Sequence, residues 1–134
     1  MQFGRTADVG NAKEMFETCV AAGINHFDTA YSYNGGASES MLGQILGSNV
    51  DDLIIGTKAP NDRPATSGNL YAALDESRKR LGVDGVDIYY LHRFDAETPL
   101  EETFATLAKM QSQGLIRYIG VSNFAAWQIM KAQA

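Results

Sequence analysis

The sequence predicts an α/β fold in which parallel strands alternate with helices, and three observations carry that reading. Apolar residues switch between a helical period and short continuous runs from one end of the chain to the other. The runs are of the buried-strand type, as in Leu53-Ile54-Ile55-Gly56-Thr57. A reactive or hydrogen-bonding side chain follows each run: Asp28-Thr29, Lys58, His92-Arg93 and Ser122-Asn123. In parallel α/β folds, loops and helix N-termini converge at the carboxyl ends of strands, and sites form there.

Ala12, Met15, Phe16, Cys19 and Val20 recur at helical spacing with Gly23 as a stop, and Cys19 on that apolar face reads as core. Residues 24–28 then form a short strand, within which His26 reads as structural. Ser38, Met41, Leu42, Ile45 and Leu46 make a short helix, with Gly47 beyond it. After the strand at 53–57, Leu70, Ala73, Leu74, Ser77 and Leu81 line a helix entered at Thr66-Ser67 and closed at Gly82. Residues 86–91 are the next strand. Thr98 caps the following helix and Pro99 takes its first position. Phe104, Leu107, Ala108 and Met110 give that helix an apolar side, and Gly114 ends it. A strand at 116–121 and a helix at 125–132 complete the order, with Trp127 read as packing, a substrate-loop role staying open, and Arg93 as a solvated or salt-bridged loop residue.

Strands separated by helices of roughly 10–15 residues imply parallel βαβ units. No linker or low-complexity tract interrupts them, so residues 1–134 read as a single domain. Periodicity alone does not separate a doubly wound sheet from a barrel.

The net charge of −5 comes with no basic stretch, which argues against a nucleic-acid partner. No apolar run approaches the ~20 residues of a membrane span. Met1-Gln2-Phe3-Gly4-Arg5 has no signal-peptide core after its charge, so the expected setting is cytoplasmic. The single Cys19 excludes an intrachain disulfide.

The strand-end residues suit one kind of chemistry. Asp28 and Lys58 would hold each other ionised in a partly buried mouth. A lysine ammonium beside a phenol lowers its pKa from about 10 and makes it a usable proton donor. Tyr31, Tyr33, Tyr89 and Tyr90 are the candidate phenols, and a neutral His92 could orient a substrate oxygen. The set fits protonation of a carbonyl oxygen while another group delivers hydride.

The run from Gly23 through Asp28-Thr29-Ala30-Tyr31-Ser32-Tyr33, followed by Ser38-Glu39 and Leu42-Gly43, resembles the Asp-Thr-Ala-x-x-Tyr signature of aldo-keto reductases. Gly56-Thr57-Lys58, Tyr90-Leu91-His92 and Gly120-Val121-Ser122-Asn123-Phe124 resemble the family's later landmarks, in order. The last of these runs on to Trp127 and, with Met1-x-Phe3-Gly4-Arg5, looks most like the aflatoxin-aldehyde and succinic-semialdehyde reductase branch. The resemblance implies about the first half of a (β/α)8 barrel. It implies Tyr33, not Tyr31, as general acid, with Asp28 and Lys58 tuning it and His92 orienting the carbonyl. Ser122 and Asn123, with Asp28, would bind the cofactor, usually NADPH (NADH remains open), with no metal and a small carbonyl compound as substrate. Gly35-Gly36 would be a flexible turn and not a phosphate cradle.

Four strands of an eight-stranded barrel leave two open sheet edges and an exposed apolar interior, from which self-association is expected. In the family, later strands bind the cofactor's phosphates, so residues 1–134 alone are expected to bind NADPH weakly and to be inactive. Two other functions fit the same residues: a regulatory subunit resembling channel β subunits, or a Schiff-base lyase with Lys58 as nucleophile. The acidic charge and the lack of an extra N-terminal segment favour the reductase, and a carboxylate beside Lys58 disfavours the lyase.

Overall fold

A computed structural model describes residues 5–134, so the strand stub expected at Met1-Gln2-Phe3 lies outside the described residues. Helices α1 (Val9–Ala21), α2 (Ala37–Leu46), α3 (Ser67–Leu81), α4 (Leu100–Ser112) and α5 (Ala126–Gln133) alternate with strands β1 (His26–Asp28), β2 (Ile54–Lys58), β3 (Val86–Leu91) and β4 (Ile116–Val121). Short 3-10 segments occupy Tyr33–Gly36 and Gly47–Asp52.

The strands pair in parallel in the order β1-β2-β3-β4. A doubly wound sheet reverses its order at a switch point. This sheet runs without reversal, so successive right-handed crossovers stack their helices on one face. That is the arrangement of a partial (β/α)8 barrel, with the opposite face as the lumen side.

Register and side-chain alternation decide which residues lie on which face. Gly56 pairs with Ile88, Lys58 with Tyr90 and Tyr90 with Gly120. The other set of positions, Ile55, Tyr89 and Leu91, is buried with Leu70, Leu74, Leu81, Leu107 and Met110 in the core under the helices. The lumen-side set carries His26, Asp28, Lys58, Tyr90 and Tyr118, together with Ile54 and Ile88. This face therefore mixes polar side chains with the apolar Ile54 and Ile88, so the expected apolar interior is interrupted by a polar cluster towards its carboxyl end. The exposed large apolar side chains instead lie mainly on the flanks, with Val9, Met15, Val20 and Ile24 at one end and Trp127, Ile129 and Met130 at the other.

The helix signals hold with local corrections. Asp8 caps α1 by accepting from the Asn11 N–H at 2.8 Å. Thr66 caps α3, and Gly82 closes it in the left-handed region. Only Ala12 and Phe16 of the α1 stripe are buried. Met15 is 51% exposed, Cys19 is half-buried and not core, and Val20 faces outward, because α1 flanks the sheet. Strand β1 begins at His26, not at residue 24, and Ile24 is exposed. Pro99 occupies the cap position of α4, one residue earlier than expected, and Thr98 is buried and bonded to Asp95 instead of capping. Ala108 faces solvent.

Among the described residues, no helix is long and apolar enough to cross a membrane.

Candidate active site

Backbone hydrogen bonds extend the sheet beyond its strands and carry the loops to the lumen mouth. The Thr29 N–H donates to Gly56 O at 2.9 Å, Tyr31 N–H to Lys58 O at 3.0 Å, Ala59 N–H to Tyr90 O at 3.0 Å and Ser122 N–H to Leu91 O at 2.9 Å. Each strand end is thus tied to its neighbour at one level, and the side chains that follow converge.

His26, Asp28, Tyr33, Lys58, Tyr90, Val121 and Ser122 line one open cleft of about 500 Å³. The Lys58 ammonium, on a side chain only 8% exposed, donates to the Asp28 carboxylate. The same ammonium lies 5.2 Å from the Tyr33 ring centroid and 5.5 Å from that of Tyr90. Tyr33 meets His92 edge to face, with centroids 5.7 Å apart. Asp28, Tyr33, Lys58 and His92 therefore form one cluster at the carboxyl end of the sheet, with Tyr33 and Lys58 on the same side.

Electrostatics separates the candidate phenols. Tyr31 donates to the Glu76 carboxylate at 3.0 Å, and that bond, with burial, raises its pKa. Tyr89 is fully buried beneath α3, and burial drives its pKa far above the ordinary value. Burial and the nearby Asp28 charge raise Tyr90. Tyr31 and Tyr89 point away from the cleft, which leaves Tyr33 and Tyr90 at the Lys58 ammonium. Burial, helped by the Lys58 charge, holds the His92 imidazole below its ordinary range and hence neutral. Its buried Nδ1 finds no hydrogen-bond partner among the described residues, so the ring keeps an unspent polar atom.

Asn123 sits at a positive φ of 56°, directly after Ser122. Its Nδ2 donates to His92 O at 2.8 Å and to Ser122 Oγ at 3.0 Å. With both amide hydrogens committed, Asn123 can meet a ligand only as an acceptor, through Oδ1. The floor nearby is flat, since the Tyr90 ring lies so close over Gly120 that a Cβ there would penetrate it.

Sequence reasoning missed some of these residues. His26 lines the cleft, two positions before Asp28 on the same strand face. Period-2 counting was the available signal for it, and the same counting puts Tyr90, already a candidate phenol, on the face of His92. Glu39, fully buried, falls on the helical stripe of Leu42 and Leu46, an anomaly in an apolar face. Gly35 and Gly36 form a defined turn at φ 62° and 94°, with Gly36 buried against the Arg80 guanidinium. Trp127 is 62% exposed and does not pack into the core; it meets Phe94 at 5.7 Å. Arg93 is exposed, as expected.

The aldo/keto reductase family model matches residues 1–134. A probable voltage-gated potassium channel subunit beta of Oryza sativa subsp. japonica is 37% identical, over 97% of this chain and 42% of that protein. Aflatoxin B1 aldehyde reductase member 2 of Rattus norvegicus is 34% identical, over 96% of this chain and 36% of that protein. A thermostable aldo-keto reductase crystallised with the inhibitor epalrestat superimposes with a TM-score of 0.87 at 36% identity, over 95% of this chain and 46% of that one. The chain thus spans less than half the length of these relatives.

Proposed function

The chain belongs to the aldo/keto reductase family, and from that premise we propose that the complete protein reduces small aldehydes or ketones with hydride from a nicotinamide cofactor. The observation that carries this is the placement of the Lys58 ammonium, paired with Asp28, 5.2 Å from the Tyr33 ring.

The residues present fit a nicotinamide. Asn123 Oδ1 is an acceptor for the carboxamide NH2, Ser122 offers a hydroxyl beside it, and the Tyr90–Gly120 floor admits a planar ring. The cofactor, when bound, supplies the hydride. Tyr33 donates its phenolic proton to the substrate oxygen as negative charge develops there. Lys58 stabilises the phenolate that remains, and Asp28 fixes the ammonium in place. Neutral His92 hydrogen-bonds the same oxygen and sets its orientation. An ammonium donating into a carboxylate has no lone pair for a Schiff base, which speaks against the lyase.

NADPH is the preferred cofactor in this reading and the cytoplasm the setting. The unpaired outer edges of β1 and β4 among the described residues support self-association of residues 1–134 if expressed alone. A second reading, a regulatory subunit, is favoured by the 37% identity to a plant protein named as a channel β subunit.

The test is Tyr33→Phe in the full-length protein. Its kcat for a model aldehyde should fall about 10²–10⁴-fold with NADPH affinity unchanged. Wild-type turnover in that variant would remove Tyr33 as the acid. A wild type that binds NADPH but reduces no carbonyl compound would favour the regulatory subunit.

A further inference from the structure

Behind the cleft, on the helix side of the sheet, lies a second polar cluster that touches neither substrate nor cofactor space. Glu39 is fully buried at the start of α2. Its Oε1 accepts from the Thr57 hydroxyl at 2.6 Å, and its Oε2 from Arg80 Nη1 at 3.1 Å. The same Nη1 donates to the backbone oxygen of Tyr31 at 3.0 Å, and the guanidinium stacks 4.7 Å from the Tyr31 ring. Arg80 also pairs with Glu76, which accepts from the Tyr31 hydroxyl. One residue before Glu39, Ser38 Oγ shares a hydrogen bond of 3.0 Å with Thr29 Oγ1.

The neighbours of these contacts in sequence are the site residues. Thr29 follows Asp28, Thr57 precedes Lys58, and Tyr31 lies two positions before Tyr33. Strand alternation turns Asp28 and Lys58 to the lumen and Thr29 and Thr57 to the rear. Two consecutive residues of α2 therefore grip both strands immediately behind the ion pair. Arg80 carries the grip on to the loop that presents Tyr33. The helices must approach closely for Arg80 to reach. Gly43 allows it, since a Cβ there would stand 2.8 Å from Leu81 O.

A buried ion pair is a poor source of stability, because desolvating both charges offsets their attraction. An apolar pair of similar volume would fill the space equally well. It would not direct hydrogen bonds to a strand hydroxyl on one side and a loop carbonyl on the other. That difference points to registration as the role of the pair.

We propose that Glu39 and Arg80 are positioning residues that hold the Tyr33 loop against the Asp28–Lys58 pair. This rests on the reading of Tyr33 as proton donor. Neither residue contacts the reacting atoms. Their effect is to fix the distance between the phenol and the ammonium.

The experiment uses the full-length protein, NADPH and a model aldehyde, with Thr57→Val, Arg80→Lys, Arg80→Met and Tyr33→Phe measured side by side. Thr57→Val keeps shape and removes one hydrogen bond to Glu39, so it tests the idea even if Arg80→Met does not fold. Displacement of the phenol should lower kcat about tenfold to a hundredfold. NADPH affinity by fluorescence titration should stay constant, and the solvent deuterium isotope effect on kcat should rise as proton donation becomes limiting. Arg80→Lys should lose less than Arg80→Met, since lysine keeps the charge but not the fork. Thr57→Val and Arg80→Lys variants that melt earlier yet keep wild-type kcat and isotope effect would overturn the proposal. A fully active Tyr33→Phe would overturn the functional reading beneath it, so the two failures are distinguishable.

Discussion

The rings of Tyr33 and His92 meet edge to face, their centroids 5.7 Å apart and their planes at 81°. Tyr33 comes from the turn after β1 and His92 from the end of β3, so the contact spans the whole of β2. Lys58, at the end of β2, sits between them in the order of the sheet. A phenol, a cation and a neutral imidazole thus share one mouth, and each makes a separate claim that can be measured.

Replacing Lys58 by Met removes the cation beside the phenol and releases Asp28. Carbonyl reduction by the full-length protein should fall at least about a hundredfold. NADPH affinity should change much less. Borohydride trapping of a substrate adduct on Lys58 in the wild type would reverse this expectation and support a lyase.

His92 binds its proton more weakly in the folded chain than in the unfolded one, because burial and the Lys58 charge, with Arg93, outweigh the pull of Asp28. Its stabilising contribution is therefore complete above the ordinary value of 6.5 and is lost as pH falls below it. Between about pH 7 and about pH 5.5, the wild type should lose more thermal stability than His92→Gln. Parallel melting curves for the two proteins would contradict the neutral imidazole.

Gly120 lies against the Tyr90 ring that lines the cleft, and an added methyl would enter that ring. Gly120→Ala should cost about 1–3 kcal/mol by overpacking and push the ring toward the ligand space. Weakened NADPH binding should accompany the lower urea midpoint. Gly68→Ala, where a Cβ meets nothing within 4 Å, is the matched control and should be nearly neutral.

Asp95 ties two loops of the mouth together, accepting from Ala65 N–H at 2.7 Å and Glu97 N–H at 2.9 Å. Burial opposes its charge, but bonds from Thr98, Ala65 and Glu97 more than offset this and hold its carboxyl below 3.8. Its contribution is present above that value and is lost as pH falls through the folded pKa. Asp95→Ala should cost about 1–3 kcal/mol at neutral pH in urea unfolding, and the gap to wild type should narrow in acid.

The front of the site was legible because it is written in strand ends. Asp28, Lys58, His92 and Ser122 each follow an apolar run, and a parallel sheet aligns such ends without further information. Barrel and doubly wound sheet could not be separated in this way, since strand order depends on crossovers that leave no periodic trace. The rear cluster was illegible for another reason. Glu39 and Arg80 are 41 residues apart, and nothing in either helix alone says that a charge on one stripe will be met by a charge on the other. The lumen face could not be read as wholly apolar or wholly polar, since His26, Tyr90 and Tyr118 share it with Ile54 and Ile88.

Trp127 is the single tryptophan of the chain, and it stands exposed in the first turn of α5, the helix after the Ser122-Asn123 strand end, with Phe94 beside it. Within residues 1–134, its emission therefore arises from one position. Reduced nicotinamides absorb where tryptophan emits, so an occupied cleft should quench this residue by energy transfer while leaving the tyrosine signal of the core largely intact. Residues 1–134 thus carry a built-in optical gauge for cofactor binding, readable without a label and without turnover.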